Sequence, residues 1–266
     1  MDEEHPRRVV TISDLHCGHE FGLTPPAWHH QGDGHPRIAK VARFQKALWE
    51  FYTEAIDALK PIDVLIVNGD AIDGKGEKSG GIEQTTTDRL EQCEMAAKAI
   101  NYAEAPKVRL MFGTRYHCGK EDDFEKVLVD KVCGNVSIQG HGFFEVNGCT
   151  FDVKHKVGSS GIPHGRATAL AKARLWNVLW NHEHDRQPLA NIIQRSHVHY
   201  VSYAGGPDWV AMTVPALSYG TSFGIRECEG IVSIGAVKVD VFPDGRYIWN
   251  YILADFPEMK APVEYL

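Results

Sequence analysis

No stretch of the chain approaches the roughly 18 consecutive apolar residues that a membrane helix requires, so no spanning helix is expected. The opening, Met1-Asp2-Glu3-Glu4-His5-Pro6-Arg7-Arg8, lacks the apolar core of a secretory signal. CxxC pairs are missing too. The six cysteines (Cys17, Cys93, Cys118, Cys133, Cys149 and Cys228) are scattered, which argues against a zinc finger and for reduced thiols in a cytoplasmic setting. There is no excess of positive charge: the formal net charge is -7, which disfavours a broad grip on nucleic acid but leaves a local basic patch open. Repeats, low-complexity tracts and linkers are absent as well, so residues 1–266 are expected to form a single domain.

What is present suits a globular protein with a substantial core. Of 266 residues, 43% are hydrophobic and 24% charged. Histidine is abundant at 14 residues, and that invites a search for metal ligands. The first strand, Val9 to Ser13, is β-branched and runs into Asp14-Leu15-His16-Cys17-Gly18-His19. Alternation along a strand would project Asp14 and His16 the same way with Leu15 in the core, and Gly18 would let the chain turn away beneath them. Glu20 to Arg37 holds several glycines and prolines and is too long for a plain connector, so it is expected as a lid or substrate wall. Within it, His29 and His30 are read as incidental surface residues.

Ile38 to Leu59 has helical periodicity and ends at Pro61. Asp63 to Asp70 is a near-continuous apolar run that closes on Gly69-Asp70, as a parallel strand covered on both faces would. After a glycine- and threonine-rich loop, Gly74 to Thr87, a second helix spans Asp88 to Ala103 with Asp88 as its N-cap. A third strand, Val108 to Phe112, ends in Gly113-Thr114-Arg115-Tyr116-His117, and a helix is expected around Glu121 to Val132. The second half reads as a hairpin of Val136 to Val146 and Cys149 to Val153 turned at Asn147-Gly148, then Lys154-His155. A helix over Gly165 to Trp180 follows, then a short strand, Asn191 to Gln194, leading to Ser196-His197-Val198-His199. Trp209 to Leu217 and Ile231 to Ala254 are the last strands, the latter folded at Pro243-Asp244-Gly245. These elements predict an α/β fold: a two-sheet β-sandwich flanked by helices, four layers α/β/β/α, parallel-rich in its first half and antiparallel in its second.

In chain order the candidate ligands are Asp14 and His16, Asp70, a residue near Thr114 to His117, His155, and His197 with His199. Each falls at or just past a predicted strand end, so all could line one cleft. Carboxylate oxygen mixed with imidazole nitrogen suits Mn²⁺, Fe²⁺ or Zn²⁺, with Mg²⁺ and Ni²⁺ as further candidates.

On Asp14-Leu15-His16, Gly69-Asp70-Ala71-Ile72-Asp73, His155 and His197-Val198-His199, residues 9 to 220 resemble the calcineurin-like metallophosphoesterases, and a phage-type member in the Gly-Thr-x-x-His form of the third motif. The resemblance implies that Asp14, His16 and His199 hold one divalent cation, that His155 and His197 hold a second, and that Asp70 bridges them. It implies hydrolysis of a phosphate ester, a diester in the first instance and small or nucleotide-like, by attack of a metal-bridging hydroxide while His117 protonates the leaving oxygen. Where the family has Gly-Asn-His this chain has Gly113-Thr114, and His117 lies two residues further along. Thr114 is expected as a weak ligand or a partner of the ligands, and Asp73 as a partner. His19, His164 and Arg166 are candidates to touch the substrate phosphate. His141, His182 and His184 are expected in surface or packing roles, Cys17 as a small buried residue, and Trp176 and Trp180 in the core. The competing readings are a nuclease for single-stranded ends and a metal-poor binding scaffold. The number of subunits is left open.

Overall fold

The computed structural model describes residues 5–32, 34–119, 123–183, 185–220 and 232–256. Cys228, His184, Ile231 and the expected helix start at Glu121 lie outside these residues. Strand β1 (Arg7–Ile12) leads through a stretch with one 3₁₀ turn, Pro26–Trp28, to helix α1 (Pro36–Leu59). That stretch is fastened to the helix layer rather than standing apart: Trp28 Nε1 donates to Glu91, and the His30 N–H donates to Gln45. His35 caps α1 and Pro36 fits its first turn, where a missing N–H costs nothing. Strand β2 (Val64–Asn68) follows, then α2 (Arg89–Tyr102), whose Asp88 cap accepts from the Leu90 N–H.

Strand β3 (Lys107–Met111) ends at a single turn, α3 (Arg115–Cys118). The helix expected over Glu121 to Val132 is a 3₁₀ turn, Phe124–Val127, and one α-turn, α4 (Leu128–Lys131). The run expected as one strand from Val136 to Val146 breaks at Gly140-His141 into β4 (Asn135–Gln139) and β5 (Gly142–Val146), which belong to different sheets. Its apolar pattern is continuous although the pieces serve different cores: Val136 and Ile138 pack on the helix side of the first sheet, Phe144 and Val146 between the sheets. Strand β6 (Cys149–Lys156) pairs with β5 through Asn147-Gly148, both at positive φ as the primed turn demands. Helix α5 (Arg166–His182), β7 (Ile192–Ser196), β8 (Tyr203–Gly206), β9 (Trp209–Thr213), β10 (Gly235–Val241) and β11 (Tyr247–Leu253) complete the chain.

Two sheets result, in the orders β11-β10-β1-β2-β3-β4 and β5-β6-β7-β9-β8. The second half is mixed rather than antiparallel throughout: β5 with β6, β8 with β9 and β10 with β11 pair antiparallel as expected. Strands β6, β7 and β9 run parallel with α5 as a crossover, while β10 and β11 join the first sheet. Val9, Ile66, Phe151, Val153, Ile192 and Val239 fill the space between the sheets. Behind the first sheet, Val10, Leu65 and Leu110 pack on Phe44, Leu48 and Ile100 from α1 and α2. Behind the second, α5 makes thin cover: Leu170 meets Ile193 and Ala211. Its Trp176 and Trp180 are not in the core. They stack on each other at 6.2 Å with 49% and 38% of their surface exposed, because the sheet under that end of α5 offers too little apolar area to receive them. No described helix is long and apolar enough to cross a membrane.

Candidate metal centre

The carboxyl ends of β1, β2 and β3 lie side by side in parallel, and the turns leaving β1 and β2 continue that alignment beyond the strands. The Asp14, His16 and Cys17 N–H groups donate to the carbonyls of Gly69, Asp70 and Ala71 at 3.0, 3.0 and 3.1 Å. Strand alternation is therefore not what directs Asp14 and His16 together. β1 ends at Ile12, and both residues take left-handed backbone, φ 51° and 45°, with Leu15 buried between them. Asp70 does the same at φ 49°. The glycine before it is obligatory: Gly69 has φ 83°, and a Cβ there would collide with the His155 ring. Gly113 likewise leaves room for Asp70, which a side chain at that position would strike.

The second sheet brings the remaining imidazoles to the same rim. His155 is within β6, while His197 and His199 follow β7 at φ 75° and 54°. They do not share a face as alternation would have it. Each goes to a different group. Ligating atoms of Asp14, His16 and His199 all lie within 4.8 Å of one another, and so do those of Asp70, His155 and His197. In the first group, His199 Nε2 lies 3.0 Å from Asp14 Oδ1 and 3.3 Å from His16 Nε2. In the second, His155 Nε2 lies 3.0 Å from Asp70 Oδ2. The groups adjoin, for His155 Nε2 is 3.9 Å from Asp14 Oδ1.

Hydrogen bonds behind these atoms fix which nitrogen faces inward. His155 Nδ1 donates to the Asn68 carbonyl at 2.6 Å and His16 Nδ1 donates to Asp73 at 2.8 Å, so Nε2 of each ring faces the centre. Asp73 is thus a partner of His16, and its other oxygen accepts from Gln84 at 2.7 Å. Thr114 holds Asp70: its N–H donates to Oδ1 at 2.6 Å and its hydroxyl lies 3.1 Å from the same atom. His117, despite its later position, reaches the rim through α3. Its ring centroid is 4.5 Å from that of His16, and its Nδ1 donates to the Asp73 carbonyl at 2.9 Å. A third group, His16, Asp73 and His117, is as tightly gathered as the other two.

Charge follows from this enclosure. Burial alone would raise the Asp14 carboxyl, but His199, His155 and His16 hold it well below the usual range. Burial is also outweighed at Asp70 by His155 and His117, and at Asp73 by hydrogen bonds from His117 and His16. Burial would lower His155, yet the Asp70 and Asp14 carboxylates push it up to about 10. His117 is pushed up to about 9, against its burial, by its hydrogen bond to Asp73 and by the Asp70 carboxylate. His16 and His197 go down, through burial and the charge of His117 and His155 respectively. Three buried carboxylates thus crowd the rim and raise the proton affinity of His155 and His117. Surplus negative charge, oxygen and nitrogen donors in groups of three, and locked tautomers all fit divalent cations.

Other expected residues stand elsewhere. His19 is not solvated. It is buried, its Nδ1 accepting from the Phe21 N–H at 3.1 Å, because the turn after Gly18 folds it inward. His164 is exposed on the 3₁₀ turn Pro163–Gly165. Arg166 lies over the Tyr200 ring at 4.3 Å, one residue past His199. His141 bonds Asp152 at 2.8 Å, and Cys17 is buried. Glu125 was not expected to matter. Fully enclosed, it accepts from the Ala71 and Gly113 N–H groups at 2.6 and 2.7 Å, tying the turns that carry Asp70 and Thr114, and burial beside Asp70 pushes its carboxyl up to about 7. A lone glutamate beside Phe124 gives no periodic signal, so only the tertiary fold reveals it.

No family model matches the chain, and no curated protein matches it. Solved structures similar to it include an archaeal phosphodiesterase (13% identity, TM-score 0.46, covering 92% of this chain and 99% of that one). The phosphoesterase Yfce of E. coli is similar at 12% identity and TM-score 0.42, over 92% and 98% of the two chains. Zinc-bound Vps29 of Entamoeba histolytica has the same identity, TM-score and coverages.

Proposed function

We propose that the chain is a metal-dependent phosphoesterase of the calcineurin-like kind, acting on phosphodiesters, with residues 1–266 forming one domain around a two-cation centre. One observation carries this reading: two adjoining groups of three, Asp14-His16-His199 and Asp70-His155-His197, drawn to one rim from both sheets. Asp14, His16 and His199 would hold one cation, His155 and His197 the other, with Asp70 between them. Two divalent cations there supply a low-pKa water and neutralise charge on phosphate oxygens. The chain's own residues do the rest. Thr114 and Glu125 fix Asp70, Asp73 fixes His16, and His117, anchored through Nδ1, presents Nε2 to donate a proton to the departing oxygen.

The test is metal content and melting temperature of the purified protein with and without Mn²⁺, alongside turnover of bis-p-nitrophenyl phosphate. Bound metal, a raised melting temperature and turnover are expected. No turnover of any diester with any divalent metal would leave a metal-poor binding scaffold instead, and cleavage of oligonucleotides but not of small diesters would make it a nuclease.

A further inference from the structure

A cleft of about 160 Å³ opens beside His117, and its walls have an unexpected charge. Among the described residues, Lys75, Arg89 and Arg115 line it with Tyr116, and Glu77 is the one carboxylate, in a protein whose formal net charge is -7. The cations come from three separate elements: the loop after Asp73, the first turn of α2, and α3. These elements are held together by contacts of their own. Gly74 packs so closely on the His117 backbone that a side chain there would collide with it, and the Lys78 N–H donates to the Tyr116 hydroxyl at 2.8 Å. The Arg89 guanidinium lies 4.0 Å above the Phe124 ring centroid, which restricts its plane. Among the described lining residues cations outnumber the carboxylate three to one, a surplus that an entering anion would neutralise.

Its position decides which anion. His117 lines the cleft, and its ring also meets that of His16 of the candidate metal centre edge to face, the centroids 4.5 Å apart. On the reading above, His117 faces the departing oxygen, so whatever enters the cleft is attached to that oxygen. We infer that the cleft beyond His117 binds a phosphate carried by the leaving part of the substrate, making the preferred substrate a diester whose leaving group is itself phosphorylated. This inference rests on the proposed phosphoesterase activity. A terminal phosphate on a small nucleotide and the next phosphodiester of a strand both present the chemistry that Lys75, Arg89 and Arg115 would recognise.

The experiment compares kcat/KM of the Mn²⁺-supplemented full chain on bis-p-nitrophenyl phosphate, a thymidine dinucleotide, and the same dinucleotide with a phosphate on the leaving nucleoside. The phosphorylated dinucleotide is expected to be favoured at least about tenfold over the plain one, the effect of one charge-assisted hydrogen bond. Arg115 is exposed, so Arg115→Glu should fold, and in that variant and in Lys75→Glu the preference ratio should collapse towards one or invert. A longer oligothymidylate preferred over the phosphorylated dinucleotide identifies a strand as the source of the phosphate, and the reverse identifies a small nucleotide. Turnover of bis-p-nitrophenyl phosphate with equal kcat/KM for the two dinucleotides overturns this inference alone. A preference that survives both charge reversals does the same. No turnover of any diester overturns the phosphoesterase reading and this inference together.

Discussion

Asp14, His16, Asp70, His197 and His199 are five of the eight described non-glycine residues with positive φ. Left-handed backbone costs an ordinary residue on the order of 1–2 kcal/mol, so placing five ligand candidates there concentrates strain at one rim. Asparagine tolerates this conformation and β-branched residues do not. His197→Asn should therefore leave the melting temperature of the metal-free protein nearly unchanged, whereas His197→Val should lower stability by about 1–2 kcal/mol. Thermal melts in chelator check this, and equal melting points would remove the strain argument. For turnover, Asp70→Asn is expected to abolish hydrolysis of bis-p-nitrophenyl phosphate while exposed His182→Ala leaves it within experimental scatter; similar losses would dissolve the assignment. Asp73→Ala frees the His16 ring from its anchor and should weaken metal binding by about 10- to 100-fold in a direct titration.

Between elements, the contrast lies in how α1 and α5 meet their sheets. Phe44 of α1 is fully buried in the main cluster, so Phe44→Ala should cost about 3–5 kcal/mol by cavity formation. Trp176 of α5 is half exposed, so Trp176→Ala should cost well under half of that in the same denaturant titration. Periodicity had marked both as core. It measures the apolar face of a helix, and it is blind to how much partner area the sheet supplies. The same blindness explains the run from Val136 to Val146, where β4 and β5 read as one strand although Gly140-His141 carries the chain from one sheet to the other. What the sequence did disclose was the set of strand ends, because β1, β2 and β3 are buried on both faces and stop abruptly at Asp and Gly. Asp14, His16 and Asp70 could be picked out as candidates on that basis, and His155, His197 and His199 because each follows a predicted strand of the second half. Which histidine joins which carboxylate could not be read from that pattern and came only with the family resemblance, since it depends on left-handed turns and on the packing of one sheet against the other. Glu125 and the basic cleft depend on contacts distant in sequence and were invisible for the same reason.

For the molecule as a whole, acid sensitivity should arise away from the metal centre as well as within it. Asp152, buried in the second sheet, would be raised by burial, but His141 and Arg195, each 2.8 Å from its Oδ1, hold it below its ordinary value of 3.8. A carboxyl depressed in the folded state contributes stability that is complete above the unfolded value and is lost as pH falls through the folded one. Asp152→Asn, which strands Arg195, should cost about 3–5 kcal/mol at neutral pH, and its deficit should shrink below about pH 4; a deficit constant from pH 7 to pH 3 would contradict this. The two proposed metal groups have a mechanical consequence of their own. Each takes a carboxylate from the six-stranded sheet and at least one imidazole from the five-stranded sheet. An ion seated in either would rivet the halves of the sandwich along one seam, leaving the opposite seam to apolar contact and the hydrogen bond from Asn147 to the Val241 carbonyl. Loading with metal should then slow amide exchange at the ends of β1, β2 and β7 far more than at their starts, a gradient that reports occupancy without any substrate.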